Sequence, residues 1–214
     1  MAENVVKKGR TRTNDPDATK ANILEVATLE FAERGLDGAR IDAIAERTKT
    51  SKRMIYYYFR SKKGLYSAVL IGYYERLRSL EEKLDLERLE PLEAIRTLVN
   101  FTFEYHRENA DVVRLVMVEN IAKGVHIKEL PTLEPLNSKL IASLRKICAR
   151  GAAEGVMRDI DPMHLYMSIA ALSFFNVSNR YTFSSIFHVD MVSATSASLR
   201  KDDIVEMILR YVRP

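Results

Sequence analysis

The sequence predicts an all-α fold, on three observations. Among its 214 residues only eight are Gly and six Pro, so helix breakers are thinly spread. The long segments between them are rich in Ala, Leu, Ile, Glu, Lys and Arg, and their apolar residues recur at helical spacing. Alternating apolar and polar runs, the mark of a half-buried strand, are scarce. Hydrophobic residues make up 47% and charged residues 29% of the chain, enough to build a core and too apolar for a disordered polymer.

The elements follow in order. Residues 1–14 carry Lys7, Lys8, Arg10 and Arg12 with little apolar content, the composition of a basic flexible arm. Asn14 or Asp15 then starts a helix with Pro16 near its first turn, and Ile23, Ala27 and Phe31 form its buried stripe as far as Gly35. Gly35 and Gly38 frame a tight connection to a short helix over 41–47, with Ile41, Ile44 and Ala45 facing inward. Thr48, Lys49 and Thr50 interrupt it. Ser51 caps a third helix over 52–59, and Ser61 caps a fourth, which links this small unit to the rest of the chain.

Beyond it, Pro91 begins a helix over about 92–106 and Asp111 begins one to 123. A long helix spans 131–154, ending at Gly155, and Asp161-Pro162 opens one to about 179. Residues 181–200 are rich in Ser and Thr without a clean period, which predicts a long loop. A final helix over 202–212 has Ile204, Ile208 and Val212 on one face. The expectation is about nine helices in two domains behind the arm, a three-helix unit at 15–63 and a larger helical body at 64–214.

Charge is unevenly placed. Residues 1–63 hold fourteen Lys and Arg against nine Asp and Glu, whereas the remainder is nearly balanced within a net charge of +4. The excess points to an anionic partner for the first third of the chain. It is densest over 49–63, where Lys49, Lys52, Arg53, Arg60, Lys62 and Lys63 occur without an acid and are interleaved with Tyr56, Tyr57, Tyr58 and Phe59. Two short helices joined by a turn of three or four residues, the second strongly basic, match a helix-turn-helix.

Other chemistries find little support. The sequence has no Gly-x-Ser-x-Gly elbow, phosphate-binding glycine loop or His-Glu-x-x-His motif, so an enzyme is not expected and no cofactor is implied. His106, His126, His164 and His188 lack the spacing that puts two ligands on one helix face. A metal- or protein-responsive regulator and a non-specific architectural DNA binder remain as alternatives. The lone Cys148 reads as structural. No segment reads as a membrane span or signal peptide, so a cytoplasmic protein is expected.

The run Ser51-Lys52-Arg53-Met54-Ile55-Tyr56-Tyr57-Tyr58-Phe59-Arg60-Ser61-Lys62-Lys63-Gly64-Leu65-Tyr66 resembles the TetR family at the junction of its third and fourth helices. The likeness extends upstream through Ile23, Ala27, Phe31, Gly35 and Ile44-Ala45, about fifty residues in all. Two departures stand out. Thr48-Lys49-Thr50 replaces the family's usual Gly in the turn, and Arg40 stands where a capping Thr is common.

The resemblance implies a regulator, most simply a repressor, that binds a pseudo-palindromic double-stranded DNA operator as a homodimer and is released by a small-molecule effector. Lys52, Arg53 and Met54 would meet base edges. Tyr56, Tyr57, Thr50, Ser51 and Lys62 would contact the backbone or nearby bases, and Arg40 would either reach DNA or stay solvated. Leu165, Ile169, Leu172, Ile204 and Ile208 would form either a four-helix dimer interface or a single-chain core. For the effector, the aromatic and polar candidates are Phe101, Tyr105, Met117, Asn120, Tyr166, Phe174, Phe175 and Asn179, each of them equally a candidate for core packing.

Overall fold

The computed structural model describes residues 15–214; the basic arm at 1–14 lies outside them. The described residues form ten α-helices and no strand: α1 (Pro16–Gly38), α2 (Ile41–Thr48), α3 (Lys52–Phe59), α4 (Lys62–Glu82), α5 (Pro91–Glu108), α6 (Ala110–Ile121), α7 (Leu133–Ala153), α8 (Pro162–Ser178), α9 (Arg180–Phe187) and α10 (Ala194–Val212). Single 3-10 turns at Leu86–Arg88 and Ile127–Glu129 precede α5 and α7.

A capping side chain starts five of the ten, α1, α3, α4, α8 and α10. The Asp15 carboxylate accepts from the Asp17 and Ala18 amides with Pro16 at the first helical position, and Asp161 accepts likewise from Met163 and His164. Ser51 accepts from the Met54 amide and Ser61 from the Gly64 amide. Gly64 is required where α3 hands over to α4, because a Cβ there would lie 2.1 Å from the Phe59 carbonyl oxygen. Helix α1 breaks at Gly35, whose φ of 65° suits glycine, and the bend rests against Val118 of α6.

Two apolar cores result. The N-terminal one gathers Ile23, Ala27 and Phe31 of α1, Ile41, Ile44 and Ala45 of α2, and Ile55 and Phe59 of α3. It also takes Leu65, Tyr66, Val69 and Leu70 of α4 and Leu115 of α6, so α4 and α6 hold the small unit against the body. The second core is built around α5, α7, α8 and α10, with Leu98, Phe103, Leu144, Leu165 and Ile204 inside. Cys148 is buried in it.

The structure corrects one expectation and favours one of two alternatives in another. Residues 181–200 are not one long loop, since they contain α9 and the first turns of α10. Phe183 packs at a tilt against Phe187 one turn on, with ring centroids 4.4 Å apart. Ser193 caps α10 and Ala197 docks in the core, so in the first turns of α10 tertiary burial overrides the weak helix preference of the Ser/Thr run, whereas α9 buries no side chain. Second, Leu165, Ile169, Ile204 and Ile208 are buried inside this chain's own core, with Leu172 packed against it. Those side chains cannot face a partner.

Candidate DNA interface and effector cleft

In α3 the residues divide cleanly between two faces. Ile55 and Phe59 are buried in the N-terminal core, with Tyr58 packed against it. Lys52, Arg53, Tyr56 and Tyr57 are exposed, Tyr57 by 70%. Steps of three and four residues put those four on one side of the helix, and Met54 sits half-buried at their edge. A basic and aromatic surface therefore points outward from a short helix whose other face is anchored.

The turn before α3 departs from the common pattern in a specific way. Lys49 adopts φ 52°, ψ 34°, the left-handed conformation that ends α2, and its amide and that of Thr50 bond back to Glu46 and Ala45. A lysine thus occupies a position that favours glycine. Thr50 is half-buried, its hydroxyl donating to the Thr48 carbonyl at 3.3 Å. Arg40 precedes α2 with an exposed side chain, and its amide donates to Glu30 Oε1 at 3.0 Å.

Acids brace several of the cations. Lys52 pairs with Asp42 of α2 and Lys63 with Glu129, while Lys62 Nζ donates to the Asp37 carbonyl at 2.9 Å. Lys62 thereby ties α4 to the end of α1, a bracing contact invisible in the sequence. Arg53 makes no ion pair or hydrogen bond among the described residues. Glu30, 4% exposed, also pairs with Arg34 and so fastens α1 to the start of α2.

A second fastening point joins the N-terminal unit to the body. Glu119 of α6, 1% exposed, accepts from Tyr66 Oη of α4 at 3.0 Å, from His126 Nδ1 at 2.9 Å, and from the His126 and Ile127 amides at 2.8 and 3.1 Å. Burial raises its pKa, but these donors outweigh burial and hold the carboxyl below its ordinary value. Burial beside that carboxylate pushes the Tyr66 hydroxyl far up. Glu119 thus acts as a clasp between α4, α6 and the turn at His126–Ile127.

Between α4, α5, α6, α7 and α8 lies a cleft of about 520 Å³, lined by Tyr73, Tyr74, Arg78, His106, Asn120, Asn137, Tyr166 and Phe174 among others. Of the effector candidates, Asn120, Tyr166 and Phe174 come together there. Phe101, Tyr105, Met117, Phe175 and Asn179 do not line it. Tyr105 is buried in a stack between Tyr73 and Phe101, Phe175 faces outward against Phe183, and Asn179 sits at the α8–α9 junction. Met117 is half-buried on α6.

The residues that distinguish the cleft are ones the sequence reading missed. Arg78 is buried, donates to Glu81 of its own helix and to Tyr166 Oη at 2.9 Å, and lies against the Tyr166 ring. Burial pushes the Glu81 carboxyl up to about 7 despite Arg78. Burial also lowers His106 to about 4, so its imidazole is neutral at neutral pH. Only their burial sets these groups apart, and burial depends on how α4, α5 and α8 pack.

On α8 an apolar stripe of Met163, Met167, Ala171 and Phe175 faces outward at four-residue spacing, and on α10 Leu199, Met207 and Tyr211 share an outward face that Asp203 interrupts, all of them exposed. Helices α8 and α10 pack against each other through the faces between. Among the described residues no helix is long and apolar enough to cross a membrane, and no group of three or more His, Cys, Asp or Glu is placed to hold a metal ion.

Comparison with known proteins agrees with this architecture. Residues 23–69 match the model of the tetR family of bacterial regulatory proteins, and residues 91–208 match that of the tetracyclin repressor-like C-terminal domain. The chain is 35% identical over 208 residues to the HTH-type transcriptional repressor NicS of Pseudomonas putida, covering 97% of this chain and 98% of that one. It is 30% identical over 171 residues to the HTH-type transcriptional regulator RutR of Escherichia coli K12, covering 80% and 79%. The fold is shared with the ketosteroid transcriptional regulator KstR2 of Mycobacterium tuberculosis, at a TM-score of 0.69 and 20% identity over 99% of this chain and all of that one. With both halves matched in order and a full-length relative above 30% identity, the chain belongs to the TetR family of bacterial transcriptional regulators.

Proposed function

We propose that this regulator is a cytoplasmic repressor that binds a pseudo-palindromic operator as a homodimer and releases it when a small molecule enters the α4–α8 cleft. The observation that carries the DNA-binding part is the outward face of α3. Lys52, Arg53, Tyr56 and Tyr57 stand exposed on a helix locked from behind by Ile55 and Phe59. A helix so presented fits the major groove with its first turn at the base edges. Residues 15–63 are the DNA-binding part and 64–214 the effector and dimer part, with α4 shared mechanically between them.

Within that surface, Arg53 reads bases and Met54 adds apolar contact at the groove. Lys52 exchanges Asp42 for DNA on binding, while Tyr56, Tyr57, Ser51, Thr50 and Arg40 position the backbone. The role of Lys62 is divided, since the ammonium that would meet a phosphate also holds α4 to α1. Repression is the mode of the relative named above as a repressor. Asn120, Tyr166 and Phe174 serve the cleft, whereas Phe101, Tyr105, Met117, Phe175 and Asn179 act at most through packing.

Fluorescence anisotropy on the full chain tests the reading. Arg53→Ala is expected to weaken operator binding by about 1–3 kcal/mol while leaving random DNA nearly unchanged. Equal loss on both DNAs would remove Arg53 from base reading. Operator affinity indifferent to every compound that binds the cleft would remove effector release.

A further inference from the structure

Helix α9 has little cover within its own chain. It is eight residues long, buries none of its side chains, packs chiefly on α8, and has no side-chain cap at its start. A helix that short is marginal in water unless packing holds an apolar face, and one Phe183–Phe187 pair four residues apart adds only a small increment. Its apolar side chains nevertheless point outward. Ile186 is 68% exposed and Phe187 is open beside it, as are Val189 and Val192 in the run that follows.

This patch runs on into a second one. Phe183 meets Phe175 edge-on at 5.8 Å, and Phe175 ends the outward α8 stripe that begins with Met163 and Met167. At roughly 200 Å² for each large side chain, the seven large apolar residues so joined, 42–68% exposed, present on the order of 700 Å². That exceeds the roughly 300–600 Å² of a typical monomer's largest apolar patch. It approaches the ~800 Å² that one partner gives to a standard interface.

Charge narrows what can lie there. Residues 181–199 contain no Lys or Arg and a single acid, Asp190, so the patch offers nothing to nucleic acid or to an anionic lipid surface, both of which are recognised through clustered cations. Permanence narrows it further. A helix that cannot hold itself needs its cover whenever the chain is folded, and the one surface always at hand is another copy of the same chain. We propose that α9 and residues 188–192 form a dimerisation arm, whose Ile186, Phe187 and Val192 are covered by a second copy, so that the contact between copies runs from the outward face of α8 onto α9. Helix α9 is then ordered by assembly. This rests on the homodimer reading and deepens it by naming a segment that the interface needs.

Sedimentation equilibrium of the full chain, with hydrogen exchange on the same samples, tests it. The unaltered chain is expected to be dimeric, and Ile186→Glu to weaken dimerisation about tenfold or more. Val192→Asp, outside any helix, should do the same and covers the case in which Ile186→Glu misfolds. Amides of residues 181–187 should exchange slowly in the dimer and about tenfold faster or more on dilution to monomer, while those of α5 in the core keep their protection. A dimer unmoved by both substitutions overturns the arm and leaves the homodimer standing, whereas a chain that is monomeric at every concentration overturns both. Equal protection of 181–187 in monomer and dimer overturns the arm as well. Neutral phosphatidylcholine vesicles supply the remaining comparison: co-sedimentation of the unaltered chain with them, lost in Ile186→Glu, would assign the patch to lipid and overturn the proposal.

Discussion

Lys49 concentrates the tension between stability and function in one residue. A non-glycine side chain in the left-handed region costs roughly 1–2 kcal/mol relative to the right-handed helix, and here it closes the turn that aims α3. Lys49→Gly should therefore raise the stability of the chain by about 1 kcal/mol, read from urea unfolding. On the proposed mode of DNA binding it should also weaken binding slightly and without sequence preference, because one exposed cation is removed from the basic surface. A variant no more stable than the parent would show that the turn is relaxed as it stands.

His106 supplies a pH prediction. Its pKa falls from 6.5 unfolded to about 4 in the folded chain because burial opposes the charged imidazolium. Between those values the unfolded chain binds the proton more readily, so the stabilisation is complete above pH 6.5 and is lost as pH falls toward 4. The loss amounts to about 3 kcal/mol. His106→Gln should flatten this part of the stability curve in denaturant titrations at stepped pH; an unaltered slope would place the titration elsewhere.

At the scale of elements, α4 and α6 connect the two halves, and Glu119 is their clasp. Glu119→Gln retains the shape but weakens four hydrogen bonds to a buried carboxylate, so a loss of about 1–3 kcal/mol is expected. Hydrogen exchange at the His126 and Ile127 amides should quicken about tenfold or more. Unchanged exchange at both amides would mean that the turn is held by Ile127 and Leu130 packing instead. With the carboxyl held below its ordinary value, the Glu119 contribution is present above the unfolded pKa and fades as pH drops through the folded one.

This scale also explains what the sequence disclosed and what it did not. Helices α1 to α4 were legible because their signals are local: Asp15, Ser51 and Ser61 bond amides two or three residues on, and the Ile23, Ala27 and Phe31 stripe recurs each turn. The DNA-facing residues expected in α3 came from the family resemblance and the basic, acid-free run over 49–63, not from periodicity, and of them Lys52, Arg53, Tyr56 and Tyr57 are exposed while Met54 is half-buried. The helices within 181–200 were less legible: the Phe183–Phe187 pair, a local signal at four-residue spacing, stands within a run whose Ser and Thr content masks it, and Ala197 acts through tertiary packing that no local pattern announces. Arg78 and His106 escaped for the same reason. An Arg and a His on amphipathic helices look solvated until α8 closes over them.

For the whole molecule, the proposed homodimer raises the question of which face a second copy would use. Leu165, Ile169, Ile204 and Ile208 are committed to the internal core, which leaves the opposite sides of α8 and α10. There Met167 is 57% exposed and Met207 and Tyr211 are also open, and these apolar side chains on adjacent helices, interrupted on α10 by Asp203, form a face that a second copy can mirror about a two-fold axis. Met167→Glu should place two acids near that axis, shift sedimentation from dimer to monomer, and weaken operator binding by an order of magnitude or more, since one recognition helix replaces two. Thermal unfolding at low protein concentration should change little, because the side chain lies outside the core. Ile169→Ala should do the reverse, costing about 2–5 kcal/mol of stability through the cavity it leaves without acting directly on association. If Met167→Glu stays dimeric and binds operator as before, the outward faces of α8 and α10 are not the interface.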